Sequence, residues 1–546
     1  MKPELTTYHS VNDNIQSPFD IAVIIPTILR ESLIDAVRSI YAQDFKGRIQ
    51  IIIGIDQINP AFDFTDILAE RPDHVAVTLF WPGYSTNQKN GGTHPVGGGS
   101  LRSTLSFLAN ANALAYLDDA NWFAPNHLSS LHDALKGQDW AFSQRWFIDK
   151  ESRTPLCPDT WESVGPNKGV FANRYNGFVD TNCLMINTLS CTNIFGNWCL
   201  SPTNGQSVDH QFFKALMKKR KYGQTGQATC LYVINKNDVN HNARNNYIKK
   251  QKLPCGPEHY PDWPGKPQPQ PKNQQQTLQT GQYQLFGDHS QSFDCAVVIP
   301  TIGRGTLKKT IDSIYQQDFK GRVQILVGLD CGFLPPQLED GLPDNMGLVL
   351  FDPGYSTSIR HGGVFTAHDG GSLRSLLSFL AHARYVAYLD DDNRLRPNHL
   401  SCLYQAVQDH HYAYSLRMFM HPNGEIPVSP DYWESLGPAK GVFAYNMNGF
   451  IDPNCLMMDV QSCINILPKW TLPFPGDPSC LTADRHLYYM LSSKKKGRCT
   501  NKVTIEYRLN EKDKMHPIRA LYLGAAWQNA CLAALKRQLL ATAQKR

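Results

Sequence analysis

Short apolar runs recur along this chain, most closing on a polar or turn residue, with intervening segments whose apolar positions fall three and four apart. Ile21–Ile25 stops at Pro26, and Ile49–Ile55 stops at Asp56. Between them, Glu31–Gln43 places Leu33, Val37, Ile40 and Tyr41 on one helical face. Val75–Phe80 ends before Pro82-Gly83. Ser100–Ala111 reads as a helix with Ser100 as its N-cap, and Ala113–Leu117 ends in Asp118-Asp119. Strands alternating with helices predict an α/β fold around a mainly parallel sheet.

The same order then returns. Ala296–Ile299, Thr306–Gln317, Val323–Leu329 before Asp330, Ser372–Ala383 and Val386–Leu389 before Asp390 repeat the first set. Trp161–Ala172 matches Trp433–Ala444 at 10 of 12 positions, and Gly99–Ala109 matches Gly371–Ala381 at 10 of 11, both 272 residues apart. Pro26-Thr27 returns at Pro300-Thr301, and Asp209 has its counterpart at Asp484, 275 residues on. So long a period means two whole domains rather than a solenoid of short repeats. Pro254–Ser292 is rich in Pro and Gln and reads as an extended linker, which predicts domains at 1–253 and 293–546.

Composition narrows the class without naming a function. The 546 residues are 42% hydrophobic and 18% charged, with a mean hydropathy of −0.37, as expected for a globular chain. A net charge of +5 over this length gives no concentrated basic footprint, so nucleic acid is not an expected partner. The first residues lack the cationic and apolar segments of a secretory signal, and no apolar run reaches the ~18 residues of a spanning helix. Fourteen cysteines without a CxxC pair suit reduced thiols. A cytoplasmic protein is the expectation. The basic runs Lys218–Lys221 and Lys494–Lys496 would allow peripheral contact with an anionic membrane face.

In a parallel α/β sheet, ligands sit at the carboxyl ends of strands, where Asp56, Asp118, Asp119, Asp330, Asp390, Asp391 and Asp392 fall. Three adjacent carboxylates repel one another unless a cation neutralises them. Hard divalent ions such as Mg²⁺ or Mn²⁺ take such oxygen ligands and bridge phosphates.

These residues resemble the GT-A glycosyltransferases of the family 2 type, over nearly the whole of both copies. VIIPTILR (23–30) and VVIPTIGR (297–304) are similar to the family's nucleotide-binding start, and YLDDDN (388–393) to its metal-binding acidic motif. The resemblance implies two tandem Rossmann-like nucleotide-diphospho-sugar transferase domains that move a sugar, with inversion, from a nucleotide-sugar donor, commonly a UDP-sugar, to a glycan or glycoconjugate acceptor. In bacteria such chains build surface polysaccharides.

It further implies that Asp484 and Asp209 are catalytic bases. Asp392 with His516, and His241 in the first copy, would hold Mn²⁺ or Mg²⁺. Thr301, Arg304, Asp330, Arg374, Asp390 and Asp391 would bind the donor, as would Thr27, Arg30, Asp56, Arg102, Asp118 and Asp119. Trp433 and Glu434, with Trp161 and Glu162, would meet the acceptor, the Trp rings stacking on sugar or simply packing. Lys168 and Lys440 are phosphate contacts or surface charges, and Gly97–Gly99 is a turn or a phosphate cradle.

One position breaks the symmetry. Ala120 stands where the second copy has Asp392, so metal binding is expected in the second copy and not assured in the first. The first copy is then metal-independent, weakly active or a non-catalytic partner. Two further readings of the chain are a two-site polymerase and a scaffold that binds nucleotide sugar or carbohydrate without turnover.

Overall fold

The computed structural model describes residues 2–87, 98–201, 207–236, 240–251, 253–260, 263–273 and 275–543. The chain divides into two compact units, Met1–Tyr283 with Asp352–Phe365, and Gln284–Phe351 with Thr366–Arg546. Each is a mixed α/β body built on a large, mostly parallel sheet flanked by helices.

In the first unit, Val75–Trp81, Ile49–Ile55, Phe19–Thr27 and Ala111–Tyr116 lie side by side and parallel. Leu184–Asn187 follows antiparallel, then Trp140–Ile148, with Tyr222–Val233 parallel to the latter. The second unit repeats this order with Met346–Asp352, Val323–Leu329, Phe293–Thr301, Ala383–Tyr388, Leu456–Asp459, Tyr412–Met420 and Gly497–Arg508. Ile49–Ile55 and Val323–Leu329 are buried at every residue. Such mainly apolar runs, each with one buried glutamine (Gln50 and Gln324), behave this way because helices cover both faces of a parallel sheet.

The helix after the glycines starts earlier than its pattern suggests. Gly98, not Ser100, is the N-cap, in left-handed backbone at φ 68°, and the Ser100 hydroxyl instead bonds Thr86 at 2.5 Å. Gly99 opens Gly99–Leu108 against a carbonyl: a β-carbon there would lie 1.9 Å from the Trp198 oxygen. Gly371 stands in the same relation to Trp470, at 1.8 Å. Packing therefore explains these glycines. Gly97 lies outside the described residues.

Within 254–292, Thr277–Thr280 adds a strand beside Glu4–Ser10, and Trp122 Nε1 donates to the Gly265 carbonyl at 3.1 Å. Tyr260 and Trp263 pack edge-on against Trp146. Residues 352–365, from the second repeat by sequence, also belong to the first unit. The Tyr355 hydroxyl accepts from the Gln50 amide and donates to the Leu108 carbonyl, both at 2.9 Å and both buried. Among the described residues, no helix is long and apolar enough to cross a membrane.

Candidate active site

In the second unit, Thr301 ends its strand and Asp390 follows the parallel strand Ala383–Tyr388, so both reach the same sheet edge. The Thr301 hydroxyl donates to Asp391 Oδ2 at 2.6 Å, and Arg304 Nη1 donates to Asp391 Oδ1 at 2.8 Å. Arg374 Nη2 donates to Asp390 Oδ1 at 2.5 Å, and Asn454 Nδ2 holds the other oxygen at 2.8 Å. Asp392 is left with a longer contact to Arg304, at 3.2 Å. Of the three carboxylates it is the least engaged by the protein. Burial, helped by Asp390, pushes its carboxyl up to about 6.

Asp484 sits in the first turn of Ala483–Lys494. Burial pushes its carboxyl up to about 7, Asp369 adds to the rise, and Arg485 opposes it. Asp369 precedes the helix Gly371–Leu380, and its backbone carbonyl accepts from Arg374 Nη1 at 2.5 Å. Asp484, Asp369, Arg374 and Asp390 thus form one electrostatic cluster. Asp330 follows the strand beside Thr301, and its N–H donates to the Thr301 carbonyl at 2.9 Å. His516 opens the helix His516–Leu523, edge-on to Trp527 at 4.9 Å, with Nδ1 buried and unbonded. Among the described residues, no three His, Cys, Asp or Glu side chains are grouped to hold a metal ion.

The first unit reproduces most of this. Thr27 and Arg30 hold Asp119 at 2.7 and 2.8 Å, while Arg102 and Asn182 hold Asp118 at 2.5 and 3.0 Å. Asp56 accepts from Ser85 at 2.8 Å. Asp209 accepts from the Thr181 hydroxyl at 3.1 Å, and burial pushes its carboxyl up to about 6 against the opposing Arg102. His241 Nε2 bonds Asn245 at 2.8 Å.

Around Ala120 the chemistry changes as a set. The register pair Arg394 and Glu506, an ion pair at 3.1 Å in the second unit, is Trp122 and Leu231 in the first. Arg508, whose N–H donates to Asn393, is replaced by Val233, whose N–H donates to Asn121. Trp122, Leu231 and Val233 share an apolar cluster with Trp263.

The Trp loops are tied down. Glu434 is 2% exposed, and its carboxylate takes Arg417 at 2.6 Å and Arg519 at 2.8 and 3.0 Å. Glu162 likewise takes Arg145 at 2.8 Å and Arg244 at 2.6 Å. Trp433 stacks on Tyr522 with centroids 4.9 Å apart, and Trp161 on Tyr247 at 5.1 Å. One face of each Trp is thereby covered by a tyrosine. Lys168 and Lys440 are exposed.

Sequence reasoning missed the residue at the centre of this support. Arg417 is fully buried and donates to Asp431 at 2.8 Å and Asp452 at 2.5 Å as well as to Glu434. Arg145 does the same with Asp159, Asp180 and Glu162. The available signal was an arginine inside an apolar strand, WAFSQRWFI and YAYSLRMFM, at the same place in both repeats.

No family model and no curated protein matches the sequence. Solved structures of S. aureus TarS do match. Its 1–349 form aligns at TM-score 0.29 and 14% identity, over 39% of this chain and 60% of that one. The longer TarS structure aligns at 0.29 and 14%, over 40% and 37%. TarS 1–349 in complex with UDP-GlcNAc aligns at 0.28 and 16%, over 41% and 60%. The chain thus spans less than two thirds of those structures, and at such scores the likeness carries no argument about function.

Proposed function

We propose that the chain is an inverting glycosyltransferase that moves a sugar from a nucleotide-sugar donor, a UDP-sugar by the family resemblance, to a glycan or glycoconjugate hydroxyl in surface-polysaccharide synthesis. The second unit is its active site. The observation that carries the reading is the placement of Asp484, with a pKa near 7, beside the Arg374–Asp390 pair at the carboxyl edge of the sheet. A general base works best with its pKa close to the working pH.

In this reading Asp484 takes the proton of the acceptor hydroxyl as that oxygen bonds the anomeric carbon. The bond to the nucleoside diphosphate breaks on the opposite face. Arg304 is half exposed and free to turn a donor N–H towards the leaving phosphate, whereas Arg374 is occupied in orienting Asp390. Thr301 is likewise occupied in fixing Asp391, and Asp330 reads the base. Asp392 and His516 fit a divalent cation in donor chemistry, since one is the least engaged carboxylate and the other keeps an unbonded buried nitrogen. Such sites use few protein ligands and complete themselves with phosphate oxygens. Held there, a cation would neutralise charge on the departing diphosphate. Glu434 and Glu162 act by holding the Trp loops.

A second reading, with both units active, draws on Asp209, kept beside Arg102 and raised to about 6. The deciding experiment is a nucleotide-sugar panel on the full chain with Mn²⁺ or Mg²⁺, scored for released nucleoside diphosphate. Asp484→Asn is expected to abolish turnover and keep donor binding. Absence of turnover with every donor overturns the reading, and turnover that survives Asp484→Asn but not Asp209→Asn moves the chemistry to the first unit.

A further inference from the structure

The offset between the repeats is 274 at Thr27 and Thr301, 272 from Gly99 and Gly371 to Trp198 and Trp470, and 275 from Ser207 and Thr482. The three extra residues of the second copy therefore fall in the loop immediately before its base helix. The loop also changes character, reading LPFPGDPSCL at 472–481. It lines an open cleft of about 590 Å³ whose walls include Thr366, Pro473, Phe474, Pro475, Pro478 and His486. That volume suits a small ligand.

The cleft is preformed. Asp477 accepts from the Ser479 hydroxyl and the Thr482 hydroxyl, both at 2.7 Å, and from the Ser479 and Leu481 N–H groups. Thr482 Oγ1 in turn accepts from the Phe474 N–H at 3.0 Å. Phe474 is wedged edge-on against His486 and Tyr489, at 5.9 and 5.7 Å. Burial lowers the His486 pKa, so the ring is neutral, and its Nδ1 donates to the Leu472 carbonyl at 3.1 Å. Nε2 is left as the ring's acceptor.

We infer that this cleft is the acceptor subsite of the second unit, which takes the apolar face of a pyranose ring on Phe474 and the flanking prolines and one sugar hydroxyl on His486. Its occupant rests on the glycosyltransferase reading above. Three observations point to it: the Cys480 carbonyl accepts from the His368 N–H at 2.9 Å, which ties the loop next to Asp369 of the Asp484 cluster, the walls are mainly apolar with one ring nitrogen to accept a hydroxyl, and the loop that builds them is three residues longer than its counterpart in the first copy. Sugar faces of this kind dock on aromatic and proline surfaces, and a stitched loop spares the ordering cost of binding. The loop is then a specificity element, since the copies differ in length at the place where the acceptor would lie.

The test uses the full chain and a panel of methyl and p-nitrophenyl glycosides of glucose, galactose, N-acetylglucosamine and N-acetylgalactosamine, with binding read by saturation-transfer NMR. At least one glycoside is expected to bind and to weaken about tenfold in Phe474→Ala, with UDP binding unchanged. Phe474→Leu keeps apolar bulk, so the fold is expected to hold while the same binding is lost. His486→Ala is expected to weaken binding with less effect on ring-face protons. No binding by any glycoside, or binding as tight as wild type in both Phe474 variants, overturns the subsite. Donor turnover is measured in parallel: its absence overturns the enzymatic reading, and the binding comparison still decides the cleft.

Discussion

The Thr181 hydroxyl donates to Asp209 Oδ1 at 3.1 Å, and the equivalent place before Asp484 holds Pro453, which has no hydroxyl to give. Burial raises both carboxyls; Arg102 and, more weakly, this bond favour the ionised form of Asp209, which stands at about 6, while Asp369 helps lift Asp484 to about 7. Transfer in the second unit requires Asp484 ionised. Log kcat/KM should therefore climb with unit slope below about pH 7 and level off above it. Pro453→Thr is expected to move the midpoint down by a fraction of a pH unit. A flat profile between about pH 5 and about pH 8 would count against Asp484 as the base.

Asp484 also carries a stability cost. Its folded pKa of about 7 lies above the ordinary carboxyl value of 3.8, so the folded state binds more protons between those values. Stability from this group accordingly falls as pH rises through the window. Asp484→Asn should stabilise the second unit by roughly 1–3 kcal/mol near pH 8 and by little at about pH 3.5, while cutting turnover by ~10²–10⁴. Thermal unfolding at the two pH values checks the sign.

Arg417 is the cation about which Asp431, Glu434 and Asp452 are buried. Arg417→Met leaves a cluster of negative charge with Arg519 as its remaining partner, and should cost about 3–5 kcal/mol in denaturant unfolding. Lys is no substitute, because a single ammonium cannot reach three carboxylates in a plane.

Asp392→Ala should weaken Mn²⁺ binding to the full chain at least tenfold by calorimetry. Ala120→Asp, the reverse change in the first unit, should create no new Mn²⁺ site. Trp122, Leu231 and Val233 stand where the second unit has Arg394, Glu506 and Arg508, so the new carboxylate would enter an apolar surround. A gained Mn²⁺ equivalent in Ala120→Asp would contradict this.

The α/β class and strand-end carboxylates were legible because short apolar runs and a repeated order of elements leave few alternatives. Thr301, Arg304, Asp390 and Asp391 come together as their positions at adjacent strand ends imply. Glu434 was not legible: from sequence it is a carboxylate beside a tryptophan, and its arginine partners lie 17 residues away on a strand and 85 away on a helix. The Ser100 cap failed because a hydroxyl signals a helix start only when no closer partner competes, and Thr86 competes. The Asp484 pKa depends on burial and on Asp369, more than a hundred residues away, which no local pattern encodes.

The polypeptide passes between its two units three times, because residues 352–365 return to the first. Cutting the chain at its Pro/Gln stretch would strip the first half of Tyr355 and leave the Gln50 amide and the Leu108 carbonyl buried without that partner, at about 1–3 kcal/mol for each group. A chimera that exchanges the first half should therefore carry residues 352–365 with it.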